Sequence, residues 1–122
     1  MNIALWSLQI ILAVTFGYSG LMKATKKREY LVSVGQTGIE NLSYPVIRFI
    51  GISELLGAIG IVLPWWLMIV PVLTPISAAC FAIIMLLAAP IHYKRKEMKP
   101  VGINLSFFFI SVFVAYMRFA QL

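Results

Sequence analysis

From Arg48 to Pro64 the chain reads RFIGISELLGAIGIVLP, a run apolar enough to cross a lipid bilayer, with one acid, Glu54, near its middle. A carboxylate at that depth costs from about 2.5 to well over 10 kcal/mol, depending on the method of measurement. It therefore has to face a partner or water rather than hydrocarbon. At about 100° per residue, Gly51, Gly57 and Ala58 fall on the same side of a helix as Glu54. Small residues let a neighbouring backbone come close. The run thus belongs in a helical bundle, with its acid turned inward.

Three further runs are long enough to accompany it. The expected spans are residues 3–22, 46–63, 70–93 and 101–117, against the roughly 20 residues needed to cross a bilayer. The sequence is 61% hydrophobic and only 11% charged, where soluble domains have roughly 45–50% and 25%. The fold class that follows is all-α: an antiparallel four-helix transmembrane bundle, with residues 1–122 forming one four-span membrane domain. No positive side chain precedes the first run, and the lysines come after it. That is the reverse of a secretory signal, so residues 3–22 are read as a span.

Each run carries its own packing signal. In the first, Ala13, Gly17, Gly20 and Ala24 make a small-residue stripe, and Gln9 extends it. Pro64, Trp65 and Trp66 are expected to close the second span as a short interfacial turn. Pro71 and Pro75 suit the first turns of the third span, and Ala78, Ala79 and Ala82 give it close-packing surface. Cys80 has no partner for a disulfide and reads as a small core residue. In the fourth, Asn104, Ser111, Ala115 and Arg118 share a face. The aromatic run Phe107, Phe108 and Phe109, with Phe113 and Tyr116, reads as core packing and lipid-facing bulk, with stacking on a flat ring as the alternative.

Ten Lys and Arg stand against four acids, and the positive charge is clustered. Lys23, Lys26, Lys27 and Arg28 form one group; Lys94, Arg95, Lys96 and Lys99 form another. Each follows a long apolar run, which points to membrane topology and anionic lipid headgroups rather than nucleic acid. The loop between the second and third spans carries no charge. The positive-inside rule then places loops one and three in the cytoplasm and both termini outside. Loop one, residues 23–45, is the only sizeable connection. Tyr30, Leu31, Val32 and Val34 fit a short interfacial helix or turn there, with Tyr30 and Tyr44 at headgroup depth. Its Gly35-Gln36-Thr37-Gly38 lacks the spacing and the lysine of a phosphate-binding loop.

With that topology every span brings a polar group to the basic half of the bundle. Lys23 ends the first span, Arg48 begins the second with Glu54 about 9 Å deeper, His92 ends the third, and Asn104 sits about one turn into the fourth. Two readings of Glu54, Lys23, Arg48, His92 and Asn104 stand side by side. One is a buried ion-pair network that fixes helix register, with Lys23 and Arg48 snorkelling to headgroups. The other is a polar pocket for something small: a quinone headgroup, a lipid headgroup or a proton. One histidine and one buried carboxylate are too few ligands for a closed metal site, and no nucleophile–base pair suited to catalysis is visible.

These motifs are similar to those of a known family. Gly20-Leu21-Met22-Lys23 at the end of the first span and Gly51-Ile52-Ser53-Glu54-Leu55-Leu56-Gly57 in the second resemble the DoxX-like family of small four-helix membrane proteins. The resemblance extends to Ile91-His92-Tyr93 with its basic sequel and to Asn104-Leu105, covering nearly the whole chain. It implies a four-helix transmembrane bundle with Lys23 and Glu54 as a central pair. It also implies an association with membrane oxidoreductases, among them quinone-reducing systems. The absence of a cysteine pair argues against independent thiol redox chemistry.

The leading expectation is an accessory, non-catalytic membrane subunit that binds a quinone or lipid and serves a redox partner, in a bacterial inner membrane. The rivals are a small proton-coupled transporter titrating at Glu54, with a homo-oligomer supplying more spans, and an assembly factor whose small-residue faces dock on other membrane proteins.

Overall fold

Four helices of 22 to 24 residues account for most of the chain, each long and apolar enough to cross a membrane. In the computed structural model, which describes residues 2–122, α1 is Asn2–Thr25, α2 Arg28–Ser33, α3 Tyr44–Leu67, α4 Leu73–Lys94 and α5 Met98–Ala120. A single 3-10 turn, Thr37–Ile39, lies between α2 and α3. There is no strand among the described residues. At about 1.5 Å per residue each long helix measures about 33–36 Å, a little more than the hydrocarbon layer.

The helices run in alternating directions. Along α1 from Gln9 through Gly17 and Gly20, the contacts on α3 descend from Ile61 through Ala58 to Gly51. Gly57 and Gly60 of α3 meet Phe81 and Ser77 of α4. Arg118, near the end of α5, bonds to Gln9 and Asn2 near the start of α1. The main packed pairs are α1 with α3 and α4 with α5.

These pairs meet in one half of the bundle only. Leu5, Leu12 and Phe16 of α1, Ile61 of α3, Ala78 and Phe81 of α4 and Val114 and Ala115 of α5 form the main buried cluster. Phe16 stacks on Phe81, with ring centroids 4.0 Å apart, and meets Phe107 edge-on at 6.2 Å. Below Phe16, toward the basic end, the pairs part, and the connection between α1 and α3 fills in above the gap. Met22, Leu31, Ile39 and Ile47 make a second small core there, so loop one is a packed cap.

Two readings of the sequence need correction. The expected turn at Pro64-Trp65-Trp66 is helix: α3 continues to Leu67, and the chain turns at Met68 and Val70, both with positive φ. A proline inside a helix removes one backbone bond and pushes the preceding carbonyls outward. The acceptor that Pro64 frees is the Gly60 carbonyl, four residues earlier, and Thr74 Oγ1 of α4 donates to it at 3.2 Å. Gln9 Nε2 of α1 donates to the neighbouring Ile61 carbonyl at 2.7 Å. Cys80, expected in the core, is exposed. The buried face of α4 passes through Ala78, Phe81 and Ala82, and residue 80 points away from it.

Candidate functional site

Where the helix pairs part, they enclose a cavity of about 570 Å³, within the range of about 300–1,000 Å³ typical of small-molecule sites. Phe16 and Phe107 lie at its deep end. Ile84, Met85 and Ala88 of α4 line it, and Gln36, Gly38, Ile39 and Leu42 of loop one approach it from the basic end. The deep part is apolar; the polar side chains gather under the loop.

On one flank of the cavity α1 and α3 cross at close range. At Gly20 and Gly51 the two backbones touch, because neither residue has a Cβ to hold them apart. One turn from the crossing, Lys23 Nζ donates to Glu54 Oε1 at 2.7 Å. The Glu54 side chain is 1% exposed and that of Lys23 13%. Charges so poorly hydrated are tolerable only as a pair.

Opposite them stand His92 and Asn104. His92 Nδ1 lies 2.9 Å from Glu97 Oε1, and its Cε1–Nε2 edge faces Gly38, where an added Cβ would come within 3.1 Å. Asn104 is 9% exposed, and its Nδ2 has no hydrogen-bond partner. A buried donor left unpaired costs about 1–3 kcal/mol. Among the described residues it is the one fully buried side-chain nitrogen or oxygen of the cavity wall that lacks a partner.

Of the five residues singled out in the sequence, four line this cavity: Lys23, Glu54, His92 and Asn104. Arg48 does not. Its Nη1 donates to the carbonyls of Lys23 and Lys26 at 2.6 Å each, and its guanidinium lies over the Tyr44 ring. It caps the end of α1, where unpaired carbonyls concentrate, and so holds Lys23 in place from behind. Sequence reasoning missed Gln36, whose Nε2 reaches Ser19 Oγ at 3.4 Å, together with the rest of the roof. The available signal was the apolar residues Leu31, Val32, Ile39 and Leu42 spread through the connection, which mark a segment that folds back.

The roof is tied down by charge. Arg95 Nη2 donates to Glu40 Oε2 at 2.6 Å, and Arg95 Nε to Glu97 Oε1 at 3.3 Å. The hydrogen bond from His92, then one from Thr37, hold the Glu97 carboxyl below its ordinary range, and Arg95 adds to this. The Glu40 contact raises the Arg95 guanidinium. On the other flank, Arg28 Nη2 donates to the Leu42 carbonyl at 2.6 Å. No group of three or more His, Cys, Asp or Glu side chains suited to a metal comes together among the described residues.

A second polar cluster lies at the far end. Arg118 is fully buried, sits over the Trp65 ring at 4.5 Å and the Trp6 ring at 5.6 Å, and donates to Gln9, Asn2 and Gln121. No acid is within ion-pair distance among the described residues. In comparison with known proteins, the model of the DoxX-like family matches residues 7–114. No curated protein and no solved structure matches the chain.

Proposed function

The chain belongs to the DoxX-like family, as a membrane protein with four apolar helices, and on that premise we propose that it is an accessory subunit that binds a membrane-soluble small molecule, a quinone or a lipid, in the cavity between its helix pairs. In this reading it has no catalytic group of its own and presents the bound molecule to a membrane-bound or peripheral redox partner. Its basic end faces the cytoplasm of a bacterial inner membrane, following the charge of loops one and three.

The observation that carries the binding reading is the unpaired, buried Nδ2 of Asn104 on the wall of the cavity. A packed bundle does not keep an unsatisfied donor beside an apolar void without loss of stability. An acceptor on a bound molecule removes that loss. The residues fit a quinone or a lipid head in kind: a donor at Asn104, aromatic and aliphatic walls, and a paired Lys23–Glu54 at the polar end. A bound quinone would supply two-electron carrier chemistry, and the protein's part would be to hold and orient it.

The test is native mass spectrometry with lipid and quinone extraction on the detergent-purified protein, wild type beside Glu54→Gln and Asn104→Leu. A small molecule present in the wild type and reduced in both variants is expected. An empty wild type would leave the Lys23–Glu54 cluster as a structural network alone.

A further inference from the structure

The cavity has a covered end and open sides. Toward the basic end it meets loop one, packed on its own small core and tied to α4 and the following turn through Gly38–His92 and Glu40–Arg95. Toward the bilayer the situation differs. Val14 and Tyr18 of α1 both line the cavity and are more than half exposed, at 66% and 62%. Ile103 of α5 lines it too and is 46% exposed. A residue that borders both the cavity and the outer surface stands at a portal. The direct bonds between α1 and α5 are at the far end, around Arg118, and nothing comparable joins Tyr18 to Ile103 among the described residues.

The charges in the cavity are already balanced. Lys23 is neutralised by Glu54, and His92 is engaged by Glu97. An ionic head would enter a site with no free countercharge and would have to break the Lys23–Glu54 pair or remain unpaired in an apolar surrounding, at a large desolvation penalty. The buried atom of the wall left without a partner is a neutral amide donor, Asn104 Nδ2.

Resting on the binding reading above, we infer that the cavity is loaded sideways from the bilayer, between α1 and α5, and takes an amphiphile with an uncharged, hydrogen-bond-accepting head. The head lies beneath loop one against Asn104, and the apolar body leaves past Val14 and Tyr18 into the lipid. The covered end makes an aqueous route unnecessary. Loop one then acts as a fixed ceiling and the portal as the door.

The test uses the full chain in phosphatidylcholine nanodiscs doped with either dioleoylglycerol, uncharged, or dioleoylphosphatidylglycerol, with the same tails and an anionic head. Retention is read by native mass spectrometry. The wild type is expected to retain the uncharged probe preferentially. Asn104→Leu weakens that retention about tenfold, the loss of one hydrogen bond to a buried donor, and Asn104→Ser weakens it less. Val14→Trp, at an exposed portal position, slows uptake from the bilayer several-fold, whereas Glu40→Ala, which loosens the ceiling, leaves it unchanged. Preferential retention of the anionic probe, or equal retention of both, overturns the uncharged-head inference while the binding reading stands. Faster uptake in Glu40→Ala with no effect of Val14→Trp moves the entrance to the basic end and overturns the portal. Retention of neither probe by the wild type overturns the inference, and the binding reading falls with it only where the extraction described above also finds the wild type empty.

Discussion

Gly20 and Gly51 meet backbone to backbone: a Cβ placed on Gly20 would lie 2.6 Å from the Gly51 carbonyl oxygen, and one placed on Gly51 would lie 2.6 Å from the Ala24 nitrogen. Real Cβ atoms do not approach other atoms so closely. The crossing sets the distance between α1 and α3, and with it the reach of Lys23 to Glu54.

Substitution at this crossing should therefore be costly and local. Gly51→Ala is expected to destabilise the bundle by on the order of 1–3 kcal/mol, as overpacking does. Gly102→Ala, at a position with open space around it, should stay within about 0.5 kcal/mol of the wild type. Thermal unfolding of both variants in one detergent checks the contrast. Equal melting temperatures would remove the crossing as a determinant of the fold.

The Lys23–Glu54 pair should behave as a unit. Glu54→Leu leaves a poorly hydrated ammonium without its partner, and breaking a buried pair in this way costs about 3–5 kcal/mol. The double variant Lys23→Leu/Glu54→Leu removes both charges and should regain most of that loss. A double-mutant cycle of unfolding free energies measures this. A double variant as unstable as Glu54→Leu alone would show that the carboxylate matters for something other than its pairing with Lys23.

At the far end, Arg118 is held by a fork of hydrogen bonds and by the faces of Trp65 and Trp6. Lysine has neither the fork nor the plane. Arg118→Lys should therefore lose on the order of 2 kcal/mol, close to the loss in Gln9→Ala. The two changes together should cost less than their sum, because they break the same bond. Full additivity in a double-mutant cycle would contradict this account.

The ceiling of the cavity should respond to acid. The Glu97 carboxyl is held below its ordinary value of 4.5 by its contacts with His92, Thr37 and Arg95. Its folded-state value is the lower one, so its contribution is fully present above about pH 4.5 and lost as the pH falls through the depressed value. The protection of the amides in residues 36–42, relative to their intrinsic exchange at each pH, should fall in that acidic window, and Glu97→Gln should flatten the dependence. Protection that stays constant down to about pH 3 would rule out Glu97 as a tie.

Much of this was legible in the sequence, for a definite reason. A carboxylate in an apolar run has few places to go, so the inward turn of Glu54 could be read from its surroundings. The small residues around it pointed to close packing, and the order of GLMK and GISELLG motifs pointed to the family. Reading failed where a residue's partner lies far along the chain. Nothing near Thr74 or Gln9 says that each will bond to a carbonyl of α3 in the turn before Pro64. Arg48 carries the same charge as Lys23 and lies at similar depth, yet it turns to backbone carbonyls outside the cavity. Cys80 is as apolar as its neighbours, and only the angle of the α4 face decides that it points outward.

The sequence by itself determined the four apolar helices, the clustering of positive charge at one end, and the membership in the DoxX-like family. These depend on composition and on spacing within single segments, where the cost of placing a charge in lipid dominates every alternative. The tertiary structure decided that two helix pairs close on each other around Phe16 and Phe81 and part beyond them, that loop one folds back as a ceiling, and that Asn104 is left with a free donor. Those outcomes follow from how far apart the backbones stand, and that distance is set by contacts between segments rather than by any segment alone.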